Sequence, residues 1–231
     1  MTYLSIVQDA LVLLGLPKPG SVASSSDPAV LSMGAMVNQT GKELMHRHAW
    51  EALQTEKTFT TVAQAVQTDA IPSDFDRFIN NSLYNRTQRR RLFGPLSPQK
   101  WQRRQALTTA GIYGYFRQRG GSLLIDPVPT AGETIAYEYV TKNWVTGDAA
   151  SMTVDIDTAL IDENLLMLGA IWRFLDARGL EYAERFRTYE IEVGNAWAKD
   201  GGKDSVNMGD TEPRDFELEQ AVVPDGDWDI T

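Results

Sequence analysis

Apolar residues near the start of the chain recur with a helical period. Leu4, Val7, Leu11 and Leu14 step by 3, 4 and 3, one face of a 3.6-residue repeat, which predicts a short helix over 3–14. Gly15 ends it, because glycine accepts the left-handed cap conformation, and Pro17 and Pro19 reinforce the break. A small polar loop fills 21–26. Asp27-Pro28 then reads as a helix start, a capping side chain followed by proline at the first helical position. That helix should run to about Leu53, with Val30, Met33, Val37 and Leu44 on one side.

The period changes near Gln54. Residues 54–68 are rich in Thr, Val and Gln, a strand-favouring mixture. Ile71-Pro72-Ser73-Asp74-Phe75 reads as extended chain and then a turn, because the residue before proline avoids the helical region. Ser97-Pro98 starts a short helix through about Ala106. Ile112–Gln118, Ser122–Asp126 and Glu133–Thr141 read as three strands. Gly120-Gly121 suits a tight hairpin, and Asp126-Pro127-Val128-Pro129 makes a second corner with Gly132 beyond it. In the third strand Ile135, Tyr137 and Tyr139 alternate with Thr134, Ala136 and Glu138, so one face is buried.

Helical period returns after about Asp157. Ile161, Leu165, Leu168, Trp172 and Leu175 step by 4, 3, 4 and 3. Beyond Gly179, Tyr182, Phe186, Tyr189, Val193 and Trp197 step by 4, 3, 4 and 4. These predict two helices in an antiparallel hairpin, ended by Gly201-Gly202. The expected class is α+β: an antiparallel bundle of about four helices carrying an inserted small β-rich domain, with an extended C-terminal tail. The expected boundaries are 1–53 for the first half of the bundle, 54–150 for the insert, 155–200 for the second half and 201–231 for the tail. There is no internal repeat.

Composition adds bounds to this picture. The 231 residues are 42% apolar and 23% charged, values of a folded protein with a real core. There is no Cys, so neither a disulfide framework nor thiolate chemistry is expected. No apolar run approaches the ~20 residues of a membrane helix. Met1-Thr2-Tyr3-Leu4 shows no basic leader or small-residue cleavage site, so no signal peptide is expected.

Charge is sorted by position. Arg86, Arg89, Arg90, Arg91, Lys100, Arg103, Arg104, Arg117 and Arg119 lie in a stretch without an acid. The stretch from Asp200 to Thr231 holds ten acids and two bases, a net −8 in a chain of −9. A strong positive block and a strong negative end serve two surfaces that meet different partners, or each other on neighbouring copies. This points to an assembly part and away from an enzyme. Arg89-Arg90-Arg91 runs into Leu92-Phe93, and Trp101 sits between Lys100 and Arg103-Arg104, a contact composition for carboxylate or phosphate. The plainer alternative is a solvated face. The acidic pI of about 4.8 disfavours nucleic acid as the ligand of the whole molecule. In the tail, Phe216, Leu218, Val222, Val223 and Trp228 are spaced as separate anchors among the acids, where a purely solubilising end needs none.

Sites for chemistry are not apparent. His46 and His48, the only histidines, are two apart and point to different faces of a helix. No Gly-x-Ser-x-Gly elbow, Walker loop or Gly-x-Gly-x-x-Gly is present. Asp155-x-Asp157 and Asp225-x-Asp227-x-Asp229 lack the glycine and glutamate of a calcium loop. Asp162 and Glu163 are explained by the helix dipole. No catalytic residue, cofactor or metal is expected.

Three segments together carry a family resemblance: Ile71-Pro72-Ser73-Asp74-Phe75-Asp76-Arg77, Leu124-Ile125-Asp126-Pro127-Val128-Pro129 with Gly132 and Tyr139, and Asp162-Glu163-Asn164-Leu165-Leu166-Met167-Leu168-Gly169. In this order, over most of 1–200, the chain resembles the head-to-tail adaptor proteins of tailed bacteriophages, including the tail tubular protein A type. The resemblance implies a helical bundle carrying a β domain and a homo-oligomeric ring, usually of twelve. The ring lies beneath the portal protein in the virion and joins it to a tail tube or nozzle protein. Genome DNA passes through its lumen, and the C-terminal segment grips the portal. The alternative reading is a nucleic-acid or polyanion-binding module that uses the Arg86–Arg119 segment.

Overall fold

The computed structural model describes residues 1–106 and 113–200. In chain order the elements are α1 (Tyr3–Leu13), α2 (Pro28–Arg47), a 3-10 turn (Glu51–Leu53), β1 (Gln54–Thr60), β2 (Val66–Gln67), β3 (Phe75–Phe78), β4 (Tyr84–Asn85), β5 (Arg90–Phe93), α3 (Pro98–Ala106), β6 (Gly114–Arg119), β7 (Ser122–Asp126), β8 (Thr134–Thr141), α4 (Glu163–Ala177) and α5 (Ala183–Lys199). They fall into two compact units, residues 1–54 with 140–200, and residues 55–139.

In the first unit the helix starts are written in the sequence. Thr2, Asp27 and Asp162 cap α1, α2 and α4 through their side-chain oxygens, and Pro28 opens α2. Helix α4 is the hub and packs on α1, α2 and α5. Ile6, Val7, Leu11, Met33, Val37, Leu44, Leu166 and Phe174 are buried along these seams. Close packing of α2 and α4 depends on glycines that face bulky neighbours. A Cβ at Gly41 would lie 2.6 Å from Trp144 Cε2, and one at Gly169 would overlap Thr40 Cγ2. Helix α2 ends at Arg47, short of the expected Leu53, where the chain turns back and Trp50 Nε1 donates to the Leu44 carbonyl at 2.7 Å.

The Asp155-x-Asp157 run is a structural clasp. The Asp155 carboxylate accepts from Ser21 Oγ at 2.6 Å and from the Val22 and Ala23 N–H groups at 2.8 and 3.0 Å. These bonds, the Ser21 hydroxyl first, hold its carboxyl below the usual aspartate range. The carbonyls of Asp157 and Asp155 accept from the first N–H groups of α1, those of Tyr3 and Leu4. The run therefore satisfies donors that a helix start leaves open.

The second unit is built on one mixed sheet in the order β1-β8-β4-β5-β6-β7-β2, with β3 also on β8. Strands β1 and β2 stand at opposite ends of this order, yet only residues 61–65 separate them, so the sheet is curled into a half-barrel. The β4–β5, β4–β8, β6–β7 and β2–β7 pairs are antiparallel. The β5–β6 pair is parallel and therefore needs a crossover, in which α3 lies. The concave core gathers Phe59, Leu83, Leu92, Phe116, Ile125, Ile135 and Tyr137, with Phe75 and Phe78 packed against it. Phe78 stacks within 5.4 Å of both Tyr137 and Phe116. Tyr137 donates to the Ala70 carbonyl at 2.6 Å, and burial raises its phenol pKa well above the usual value. Tyr139 donates to Asp74 at 2.9 Å. The Ile71–Arg77 segment thus packs against the core of this unit through Ile71 and Phe75.

This architecture overturns the expected helical bundle with a small β insert. Among the described residues there are five α-helices, and the strands form one eight-stranded mixed sheet. Strands β1 and β2 fall in the strand-favouring stretch 54–68, whereas β3, β4 and β5 were hidden because they have only four, two and four residues, too short for alternation to register. The expected strand beginning at Ile112 starts at Gly114, and Ile112 itself lies outside the described residues.

Candidate partner surfaces

Strand alternation divides the basic segment between two faces of the half-barrel. Leu92, Phe116, Leu123 and Ile125 point into the core, so their neighbours Arg91, Phe93, Tyr115, Arg117 and Asp126 point outward. Helix α3 covers part of this outer face. Trp101 is 4% exposed, so its ring anchors α3 to the sheet. Arg104 Nε bonds Asp126 Oδ2 at 2.7 Å, and its guanidinium lies 3.8 Å from the Tyr115 ring centre. Phe93 stacks on Tyr115 at 5.8 Å, and Arg91 lies over Phe93 at 5.2 Å while donating to Asn81. Arg91, Phe93, Tyr115 and Arg104 therefore form a continuous cation–aromatic stack within the unit.

The other basic residues fall elsewhere. Arg86 is exposed and bonds Glu56 Oε2 at 2.7 Å, which holds that carboxyl below its usual range. Such an exposed pair contributes little stability. Arg89 sits in the β4–β5 connection at a left-handed φ of 53° and is exposed. Arg90 is half-buried beside the polar cluster in which Asn85 and Gln88 donate to the Glu133 carboxylate. Lys100 and Arg103 are exposed on α3, one turn apart. The structure brings Lys100, Arg103, Arg104 and Arg91 to one face, and places Arg86 and Arg89 in the loop at the end of β4. Residues 55–139 hold eleven bases and seven acids, net +4, in a chain whose total is −9. The tail anchors Phe216, Leu218, Val222, Val223 and Trp228 lie outside the described residues.

The helical unit offers a surface that periodicity alone does not show. Of the predicted buried stripe of α5, Tyr189 and Val193 are buried, whereas Phe186 is 37% and Trp197 57% exposed. Ile191, off that stripe, is 53% exposed. Helix α5 is an outer helix that packs on α4, so one neighbour covers only part of its apolar surface. A helical wheel marks the apolar positions but not how many neighbours a helix has.

The described residues present no obvious site for chemistry. No group of three His, Asp or Glu residues is arranged to hold a metal ion among them. His48 Nε2 lies 3.0 Å from Asp200 Oδ2, and its ring contacts those of Trp50 and Trp197. That environment positions the end of α5. No described helix is long and apolar enough to cross a membrane.

No curated protein matches the chain. The family model described as SU10 adaptor protein matches residues 1–204, which takes in both compact units. The chain therefore belongs to the SU10 adaptor protein family, a family of phage head-to-tail adaptors.

Proposed function

We propose that this structural phage protein is the subunit of a twelve-membered ring at the head–tail junction of the virion. The ring joins the portal protein to a tail or nozzle protein, and genome DNA passes through its lumen without sequence-specific contact. Its work is mechanical joining, with no catalytic step. Beside family membership, one observation supports this reading: the chain sorts opposite charges into separate stretches of its sequence. The half-barrel unit is net +4, and residues 204–231, with nine acids and one base, are net −8. A head-to-tail contact closes a ring only where unlike patches meet. The basic segment around Arg86, Arg89, Lys100 and Arg103 is assigned to a neighbouring copy or partner. The acidic segment, with its anchors Phe216, Leu218 and Trp228, is assigned to the portal.

The alternative, a polyanion-binding module, uses the same basic residues. It is weakened by the internal stack, which commits Arg91 and Arg104 to aromatic and carboxylate neighbours, and by the net charge of the chain. Deletion of residues 203–231 tests the portal assignment. The truncated protein should keep the circular dichroism of the full chain and lose co-sedimentation with portal assemblies. Attachment equal to that of the full chain would remove the assignment.

A further inference from the structure

The outer face of the half-barrel is more basic than any role inside the unit requires. Arg91, Lys100, Arg103, Arg104, Arg117 and Arg119 lie on it, by strand register and by the docking of α3. Asp126 is the acid on the same strands, and Arg104 already takes it. Lys100, Arg103 and Arg119 are exposed, and none of them forms an ion pair among the described residues. Like charges this close repel one another, so the face is stabilised by an anionic cover.

The chain supplies such a cover. We propose that, before assembly, this face holds the acidic C-terminal segment of the same polypeptide. The described chain ends at Asp200, and the 31 residues beyond it can extend about 100 Å, so reach does not limit the contact. The nine acids of residues 204–231 are interspersed with Phe216, Leu218 and Trp228, side chains suited to the half-exposed rings of Phe93 and Tyr115 and the exposed ring of Tyr113. The inference concerns the free chain and is separate from the portal assignment, so failure of portal attachment leaves it standing.

The absence of cysteine makes the test clean. A nitroxide on Gln102→Cys, exposed on α3, reports on nearby backbone amides of the full-length chain by paramagnetic broadening. Amides of 204–231 should lose about half their intensity or more near 0.05 M salt and regain it near 0.5 M, as screening shortens from roughly 14 to 4 Å. Arg103→Glu, Arg117→Glu and Arg119→Glu together should abolish the broadening, with the sheet amide shifts reporting that the fold is intact. The salt titration reads the same contact without any Arg change. Tail amides untouched at low salt would overturn the proposal, as would broadening that survives the triple change in a folded sheet. A mixture of spin-labelled chain at natural isotope abundance with nitrogen-15-enriched chain that carries no spin label should show no broadening. Broadening there equal to that within one chain would assign the contact to a second copy and overturn the proposal.

Discussion

Replacing Gly41 with valine is expected to unfold the helical unit or leave it severely weakened. The site has no spare volume: even the first added carbon would lie 2.6 Å from Trp144 Cε2. Trp144 is fully buried, and its Nε1 donates to the Ala150 carbonyl at 2.8 Å, so the indole cannot swing aside without breaking that bond. Helix α2 cannot back away either. One turn earlier Asn38 exchanges two hydrogen bonds with the Met152 backbone, at 2.7 and 3.0 Å. Overpacking costs about 1–3 kcal/mol in a core that can adjust, and this site, where neither side can give, falls at or above the upper end. Urea unfolding followed by tryptophan fluorescence reads the loss directly. Gly194→Ala on the exposed side of α5, where an added Cβ meets nothing within 4 Å, should instead be neutral or stabilising by up to about 1 kcal/mol. Equal midpoints for the two variants would refute the close-packing account.

The second large effect is expected at Arg173, which is 8% exposed in α4. Its guanidinium donates to Thr40 Oγ1 and to the Gly169 carbonyl, both at 2.9 Å, and pairs with Glu43. It also lies 4.3 Å from the Trp172 ring centre. Burial pulls its pKa down, and the neighbouring groups Tyr189 and Glu190 push the other way. Arg173→Ala would leave Thr40 Oγ1 without its donor and Glu43 with Arg47 as its remaining partner in the α2–α4 seam. Losing charged hydrogen bonds from a buried position in this way costs about 2 kcal/mol. The Glu43 side chain keeps 28% of its exposure, so water recovers part of that loss. Thr40→Val together with Arg173→Met, which removes donor and acceptor and keeps apolar volume, should recover stability relative to Arg173→Ala. A loss below about 0.5 kcal/mol for Arg173→Ala would show that the network is dispensable.

Different parts of the molecule were legible to different degrees. Helices α1, α4 and α5 could be read from their apolar period, and the start of α2 from Asp27-Pro28; Thr2 and Asp162 prove to be caps as well, while α5 begins without a side-chain cap. The half-barrel was only partly legible. Strand β8 was plain from its alternation over 134–139, although Ala136 and Val140 on its other face are buried too, whereas β4 is two residues long and has meaning only through its register against β5 and β8. Strand β5 was concealed by its own composition. Arg90-Arg91-Leu92-Phe93 sends one apolar residue to the core and the rest to a polar cluster and the outer stack, so it looked like part of a charged surface. The same stack explains the mixed outcome for the basic segment. The sequence marked an arginine–aromatic composition, but not that Trp101, Phe93 and Tyr115 are partners within the unit. Exposure of Phe186 and Trp197 on α5 was illegible because it depends on which neighbours surround the helix.

Electron-microscope images of the purified protein mixed with the portal of its own phage test the joining role most directly. The account predicts closed rings of twelve copies seated coaxially on the portal, with an open central channel. A solitary monomer that never associates with the portal at any protein concentration or salt would contradict it.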